Sequence, residues 1–153
     1  MVDVQIGHEK TITGLLPALA GSNMIYGMGM LDMGMTLSFQ QLLVDHEIAR
    51  MILRVVSGIP VNSEHLALDV ISKVGIGGNY LMEDHTLKFF KTEAIEPCFL
   101  ARDNLDGWLS RGKPEIKAIA AEEASKILEN HQVDPLPDGV EKELDKIIKS
   151  LEE

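Results

Sequence analysis

A single cysteine, Cys98, occurs in 153 residues, so no internal disulfide can form and an oxidising compartment gives this fold no staple. Basic residues are also few, 14 against 24 acids, for a net charge of -10. Nothing here neutralises a row of phosphates, so nucleic acid is excluded as a partner, and docking on anionic lipid is disfavoured. Long apolar runs are missing as well. The longest near the start, Ile12 to Ala20, is short and broken by Pro17, while Asp3 and Glu9 spoil a signal-peptide reading. There is no repeat and no low-complexity segment. What remains is a chain 45% hydrophobic, long enough for one domain with a real core. The expectation is a soluble, cytoplasmic protein.

Local signals divide the chain. Thr11 to Ala20 reads as a short helix with Thr11 or Thr13 as cap and Gly21-Ser22-Asn23 as its stop. Met24-Ile25-Tyr26 has the pattern of a buried strand, and Gly27 to Thr36 that of a loop. Ser38 and Gln41 have capping-box spacing ahead of a helix whose apolar face is Leu42, Ile48, Met51, Ile52, Val55 and Val56. Gly58-Ile59-Pro60 ends it. Asn62 or Ser63 caps a helix to Val74, stopped at Gly75.

Further on, helices are expected over Thr86 to Thr92, after an Asp103 cap, from Pro114 to about His131, and after an Asp138 cap. A weak second strand falls near Cys98–Leu100. Residues 1–77 carry seven acids and four bases, leaving 17 and 10 for the remainder. The acidic second half is best read as solvated helix faces. A lone strand among helices needs neighbours for its backbone hydrogen bonds. The sequence therefore points to part of a larger α/β protein, or to one that assembles with another chain.

Chemistry-bearing patterns are sparse. Gly27, Gly29 and Gly34 follow the expected strand, but G-x-G-x-x-x-x-G with a cap as late as Ser38 fails the dinucleotide fingerprint. A rim loop of a barrel and a plain strand-to-helix turn are equally good accounts of it. Five methionines, Met24, Met28, Met30, Met33 and Met35, suit a surface meeting a bulky ligand, though core filling is the commoner use. None of the five histidines has metal-ligand spacing, so no metal site is expected. Cys98 has no partner base and reads as a buried or half-buried thiol. No serine occupies a G-x-S-x-G elbow. Asp3, Gln5 and Glu9 form a polar cluster, either rim ligands for a small polar or cationic substrate or ordinary surface residues.

Asp3-x-Gln5-x-Gly7-His8-Glu9-Lys10, Ile25-Tyr26-Gly27-x-Gly29-Met30-Leu31 and Ser38-Phe39-x-x-Leu42-x-x-Asp45-x-Glu47-Ile48 resemble the C-terminal part of the trimethylamine methyltransferase family. Leu66 to Ile71, Gly77-Gly78, His85-Thr86-Leu87, Arg102-Asp103, Trp108, His131-Gln132 and Pro135-Leu136-Pro137 extend the resemblance along the whole chain in order. It implies a (β/α)8 barrel roughly three times this length. Such enzymes pass a methyl group from a tertiary or quaternary amine to the cobalt of a corrinoid protein docked over the barrel mouth. Some members carry pyrrolysine, read from an in-frame amber codon; others have glycine there and include glycine betaine methyltransferases.

On this resemblance the chain is mainly α. Residues 1–60 form a terminal barrel strand and helix with a glycine-rich rim loop, residues 61–153 form a C-terminal helical extension, and the N-terminal barrel portion is absent. Asp3, Gln5, Glu9, Gly27, Gly29 and Met30 are its candidates for the substrate and corrinoid side. Met1 is then expected to be an internal methionine downstream of the pyrrolysine position, and the chain a fragment inactive alone. It binds no cofactor directly, since the corrinoid comes with the partner, and its uncovered core favours self-association. A different class of reading is an acidic helical module that binds a partner protein; a third is a regulatory paralogue that binds the corrinoid protein without catalysis.

Overall fold

The computed structural model describes residues 3–151, and these are mainly helical. Helix α1 spans Val4–Leu19, seven residues earlier in its start than the sequence suggests. Its cap is Asp3, whose carboxylate accepts from the Ile6 amide at 3.1 Å. Thr11 and Thr13 lie inside the helix, their hydroxyls donating back to the carbonyls of Gly7 and Glu9 at 2.7 Å. Gly21, at φ +94°, turns the chain away just after Ala20.

Met24–Tyr26 is not a strand. The paired strands are β1, Met30–Leu31, and β2, Thr36–Leu37, which lie inside the glycine loop as an antiparallel hairpin in the register Met30 opposite Leu37. Among the described residues, segment 24–26 has no strand beside it to take its backbone groups, and without one its apolar composition is not enough. The same reason removes the weak strand at Cys98–Leu100, which is irregular. The hairpin tip carries Asp32, Met33 and Gly34 with φ of 50°, 51° and 89°.

Helix α2, Phe39–Val56, is the central element, packed between α1 and α7 (Ile116–Asn130). Ser38 caps it, accepting from the Gln41 amide at 3.2 Å. The reciprocal half of the capping box does not form, because the Gln41 side chain turns inward to Asp45. The apolar core is small: Ala18, Val44, Ile52, Ala120 and Ala124. Close approach of α1 to α2 rests on Gly14, where a Cβ would lie 2.8 Å from Ile52 Cδ1.

The expected helix to Val74 is two, α3 (Ser63–Leu66) and α4 (Leu68–Val74), broken at Ala67 with φ 48°. Asn62 caps the first, accepting from the His65 amide at 2.9 Å. Helix α5 is Asp84–Glu93, two residues earlier in its start than the sequence suggests and with no side-chain cap from Glu83 before it. Helix α6, Leu105–Ser110, is capped by Asn104; Asp103 pairs instead with Arg111. Trp108 Nε1 donates to the Pro114 carbonyl at 3.0 Å, holding the turn into α7. Helix α8, Val140–Leu151, is amphipathic and buries none of its residues. No helix among the described residues is long and apolar enough to cross a membrane.

Candidate functional site

The first face of α2 presents Gln41, Val44, Asp45, Ile48 and Ile52 at helical spacing, and two of these five are polar. Gln41 and Asp45 are nonetheless almost wholly buried, at 0% and 4% exposure. A buried carboxylate needs donors on both oxygens. Asp45 has them: Oδ1 accepts from Gln41 Nε2 at 2.6 Å, while Oδ2 accepts from the Gly29 amide at 2.8 Å and from the Lys10 ammonium. Lys10 Nζ also donates to the Gly27 carbonyl at 3.1 Å. One carboxylate thus ties α1, α2 and the glycine loop together. Gln41 Oε1 is buried with no hydrogen-bond partner among the described residues.

Gly29 occupies the tightest point of this junction. Its φ is +77°, and a Cβ there would meet Leu37 Cδ1 at 2.9 Å and Leu42 Cβ at 3.0 Å. Only glycine offers both the left-handed backbone and the space for the Asp45 carboxylate to reach its amide. Gly27 (φ +88°) has an open flank, with Met30 Sδ 3.7 Å from where a Cβ would be.

Beside the junction lies a cleft of about 370 Å³ between α1, α2 and segment 24–30. Its floor is the Lys10–Asp45 pair, and its walls are Gly14, Pro17, Ile25, Ile48 and Ile52 with Met24, Met28 and Met30. It is an apolar slot with one neutralised ion pair. Such a site holds a compact apolar group and orients it through few polar contacts. The second face of α2 fixes the chain crossing it: both oxygens of buried Glu47 accept from the Cys98 amide at 3.0 Å. Arg54 Nε donates to the Glu93 carbonyl at 3.2 Å, with Nη2 on the Glu93 carboxylate. Cys98 is exposed rather than buried, its sulfur accepting from Arg50 Nη1 at 2.9 Å.

Among the candidates read from the sequence, Gly27 and Met30 line the cleft and Gly29 backs it. Asp3, Gln5 and Glu9 do not line it. Asp3 is a helix cap, and Gln5 Nε2 donates to Glu9 Oε1 at 2.8 Å, one turn apart on the outside of α1. Of the five methionines, Met30 is tucked beneath the hairpin, whereas Met24, Met33 and Met35 are exposed and fill no core here. Lys10, Gln41 and Asp45 were missed as site residues. Their signal was present, since Gln41 and Asp45 are polar residues four apart among core positions of an amphipathic helix. Among the described residues no three His, Cys, Asp or Glu side chains gather as a metal-binding group.

The geometry alone defines a helical scaffold that clamps a glycine-rich loop over an apolar cleft. The trimethylamine methyltransferase (MTTB) family profile matches residues 1–153, and the chain belongs to this family. Trimethylamine methyltransferase MttB of Desulfitobacterium hafniense is 44% identical over 99% of this chain and 30% of its own length. The MttB of Methanosarcina barkeri is 42% identical over 95% of this chain and 29% of its own. A glycine betaine methyltransferase of Desulfitobacterium hafniense is 34% identical over 94% of the chain and 29% of its own. The chain therefore spans about 30% of the length of the curated relatives it matches.

Proposed function

We propose that the chain forms the C-terminal part of a methyltransferase that moves a methyl group from trimethylamine, or a related tertiary or quaternary amine, to a corrinoid protein. The observation that carries the reading is the 44% identity along 99% of the chain to a trimethylamine methyltransferase, against 34% to a glycine betaine methyltransferase. Trimethylamine is therefore favoured over betaine. Within the whole enzyme, segment 24–26 is one of the last strands of a (β/α)8 barrel and the glycine loop lies at the rim, where barrel enzymes build their active sites. The corrinoid is carried by the partner, and its cobalt accepts the methyl group. Residues of this chain supply the clamp: Asp45, Lys10 and Gly29 hold the rim loop in one conformation, which favours a fixed approach of donor and acceptor. Alone, the chain is expected to be inactive.

The test joins this chain to the remaining stretch of the Desulfitobacterium relative and supplies a reduced corrinoid protein. Trimethylamine should lose one methyl group and leave as dimethylamine, with an equal amount of methylated corrinoid. Demethylation of glycine betaine in preference to trimethylamine would move the chain to the other branch. Methylation of the corrinoid from neither amine would leave the partner-binding helical module as the better account.

A further inference from the structure

Along residues 24–29 burial alternates one residue at a time. Ile25, Gly27 and Gly29 turn toward the helices. Ile25 Cγ2 lies 3.8 Å from where a Cβ on Gly14 of α1 would be, the Gly27 carbonyl accepts from Lys10, and the Gly29 amide donates to Asp45. Met24, Tyr26 and Met28 are instead 71%, 80% and 39% exposed. A period of two puts these three side chains on one face of the segment and the helix-facing set on the other.

The open face has a particular chemistry. It is one aromatic ring between two thioethers, and Tyr26 is the only aromatic residue between Thr11 and Ser38. It is also uncharged. From Thr11 to Val44 the chain has a single charged residue, Asp32 at the hairpin tip, although 25% of the whole chain is charged. The Asp45 carboxylate lies on the helix side and is already matched by Lys10. A cation reaching this face meets the electron-rich surface of a ring and polarizable sulfur, not a counter-ion of this chain. That suits an ammonium whose surface is methyl groups, and it disfavours a small hydrated cation.

In a (β/α)8 barrel the helices form the outer ring, so a strand face turned away from them is the interior face. Side chains at the C-terminal ends of the strands line the active site. Tyr26 is the last residue before the glycine loop. We infer that Tyr26 is a substrate-binding residue whose ring face holds the methylated ammonium group, with Met24 and Met28 beside it, and so favours amines bearing the most methyl groups. The inference rests on the barrel placement and the amine substrate proposed above.

The experiment uses this chain joined to the remaining stretch of the Desulfitobacterium relative, as the native sequence and as Tyr26→Phe and Tyr26→Leu. Binding of tetramethylammonium is measured by calorimetry without corrinoid protein, so that recognition is read apart from methyl transfer. Tyr26→Phe keeps the ring and should bind within threefold of the native enzyme. Tyr26→Leu keeps the apolar bulk but loses the ring face, and should bind at least tenfold more weakly. With the corrinoid protein present, the same loss should appear as a KM for trimethylamine raised at least tenfold, with kcat within threefold. Tyr26→Met makes the same comparison where the Leu variant does not fold. Equal binding by the native and Leu enzymes would overturn the inference, as would a Phe variant as weak as Leu, or no binding by the native enzyme. Methyl transfer from trimethylamine that is indifferent to Tyr26→Leu would sink the inference and leave the proposed function standing. Ring-dependent binding without methyl transfer would do the reverse.

Discussion

Asp45 is the residue on which the most structure converges, since three donors from three segments end on one carboxylate that is 3% exposed. Asp45→Asn keeps the volume but leaves the Lys10 ammonium without its counter-charge. Removing one partner of a buried pair destabilises by about 3–5 kcal/mol, and Lys10, being partly exposed, places the expected loss at the lower end. Urea unfolding followed by circular dichroism checks it, and an unchanged midpoint would show that the clamp is ornamental. Gly29 and Gly27 offer a sharper contrast. Both have positive φ, yet only Gly29 is sterically enclosed. Gly27→Ala should lose about 1 kcal/mol from backbone strain, whereas Gly29→Ala adds a clash that raises the loss to about 2–4 kcal/mol. Equal losses at the two sites would mean that conformation alone, not space, requires glycine at position 29.

At the level of elements, the contact between α2 and α7 depends on small side chains. Ala120 and Ala124 are four apart on α7, and Ala120 is fully buried. Ala120→Leu should therefore destabilise by about 1–3 kcal/mol through overpacking, measured as a lower thermal midpoint. A second link joins α3 to α5, where the Lys88 ammonium bonds the Glu64 carboxylate. That hydrogen bond, reinforced by the charge of Lys88, holds Glu64 below the usual carboxylate range. A carboxyl lowered in the folded state contributes stability above its unfolded value and loses it as pH falls through the lowered one. The link is solvent-exposed, so the contribution is small. Its direction is still measurable: in a carbon-detected NMR titration Glu64 should titrate at higher pH in Lys88→Met than in the native chain. No movement between the two would show that the pair does not persist in solution.

Over the whole molecule, stability is concentrated where α1, α2, the glycine loop and α7 meet, and the acidic C-terminal end stands apart. Helix α8 has an apolar stripe of Val140, Leu144, Ile147, Ile148 and Leu151 but buries none of it. Ending the chain at Gly139 should change the unfolding free energy of the remainder by no more than about 0.5 kcal/mol. A larger drop in urea unfolding would mean that α8 docks on the body in solution. Much of the solvated acidity expected in the second half is visible on such surfaces, as in the Lys126 pairing with Glu122 one turn away on α7.

Several helix ends were legible in the residues because capping is a local matter, although the starts of α1 and α6 were not. Ser38 and Asn62 accept from amides three positions on, and Gly21, Gly58 and Gly75 stop helices within a residue or two of the expected place. Family membership was legible for a similar reason, in motifs that keep their order along the chain. Only the tertiary structure decided which way the polar residues of α2 face. Gln41 reads as half of a capping box in sequence, but its side chain donates to buried Asp45, and the 93–98 crossing brings the Cys98 amide onto buried Glu47. It also decided against the strand at Met24–Tyr26. A helix satisfies its backbone from within four residues, whereas a strand exists only when another segment arrives beside it, and among the described residues none does so at 24–26.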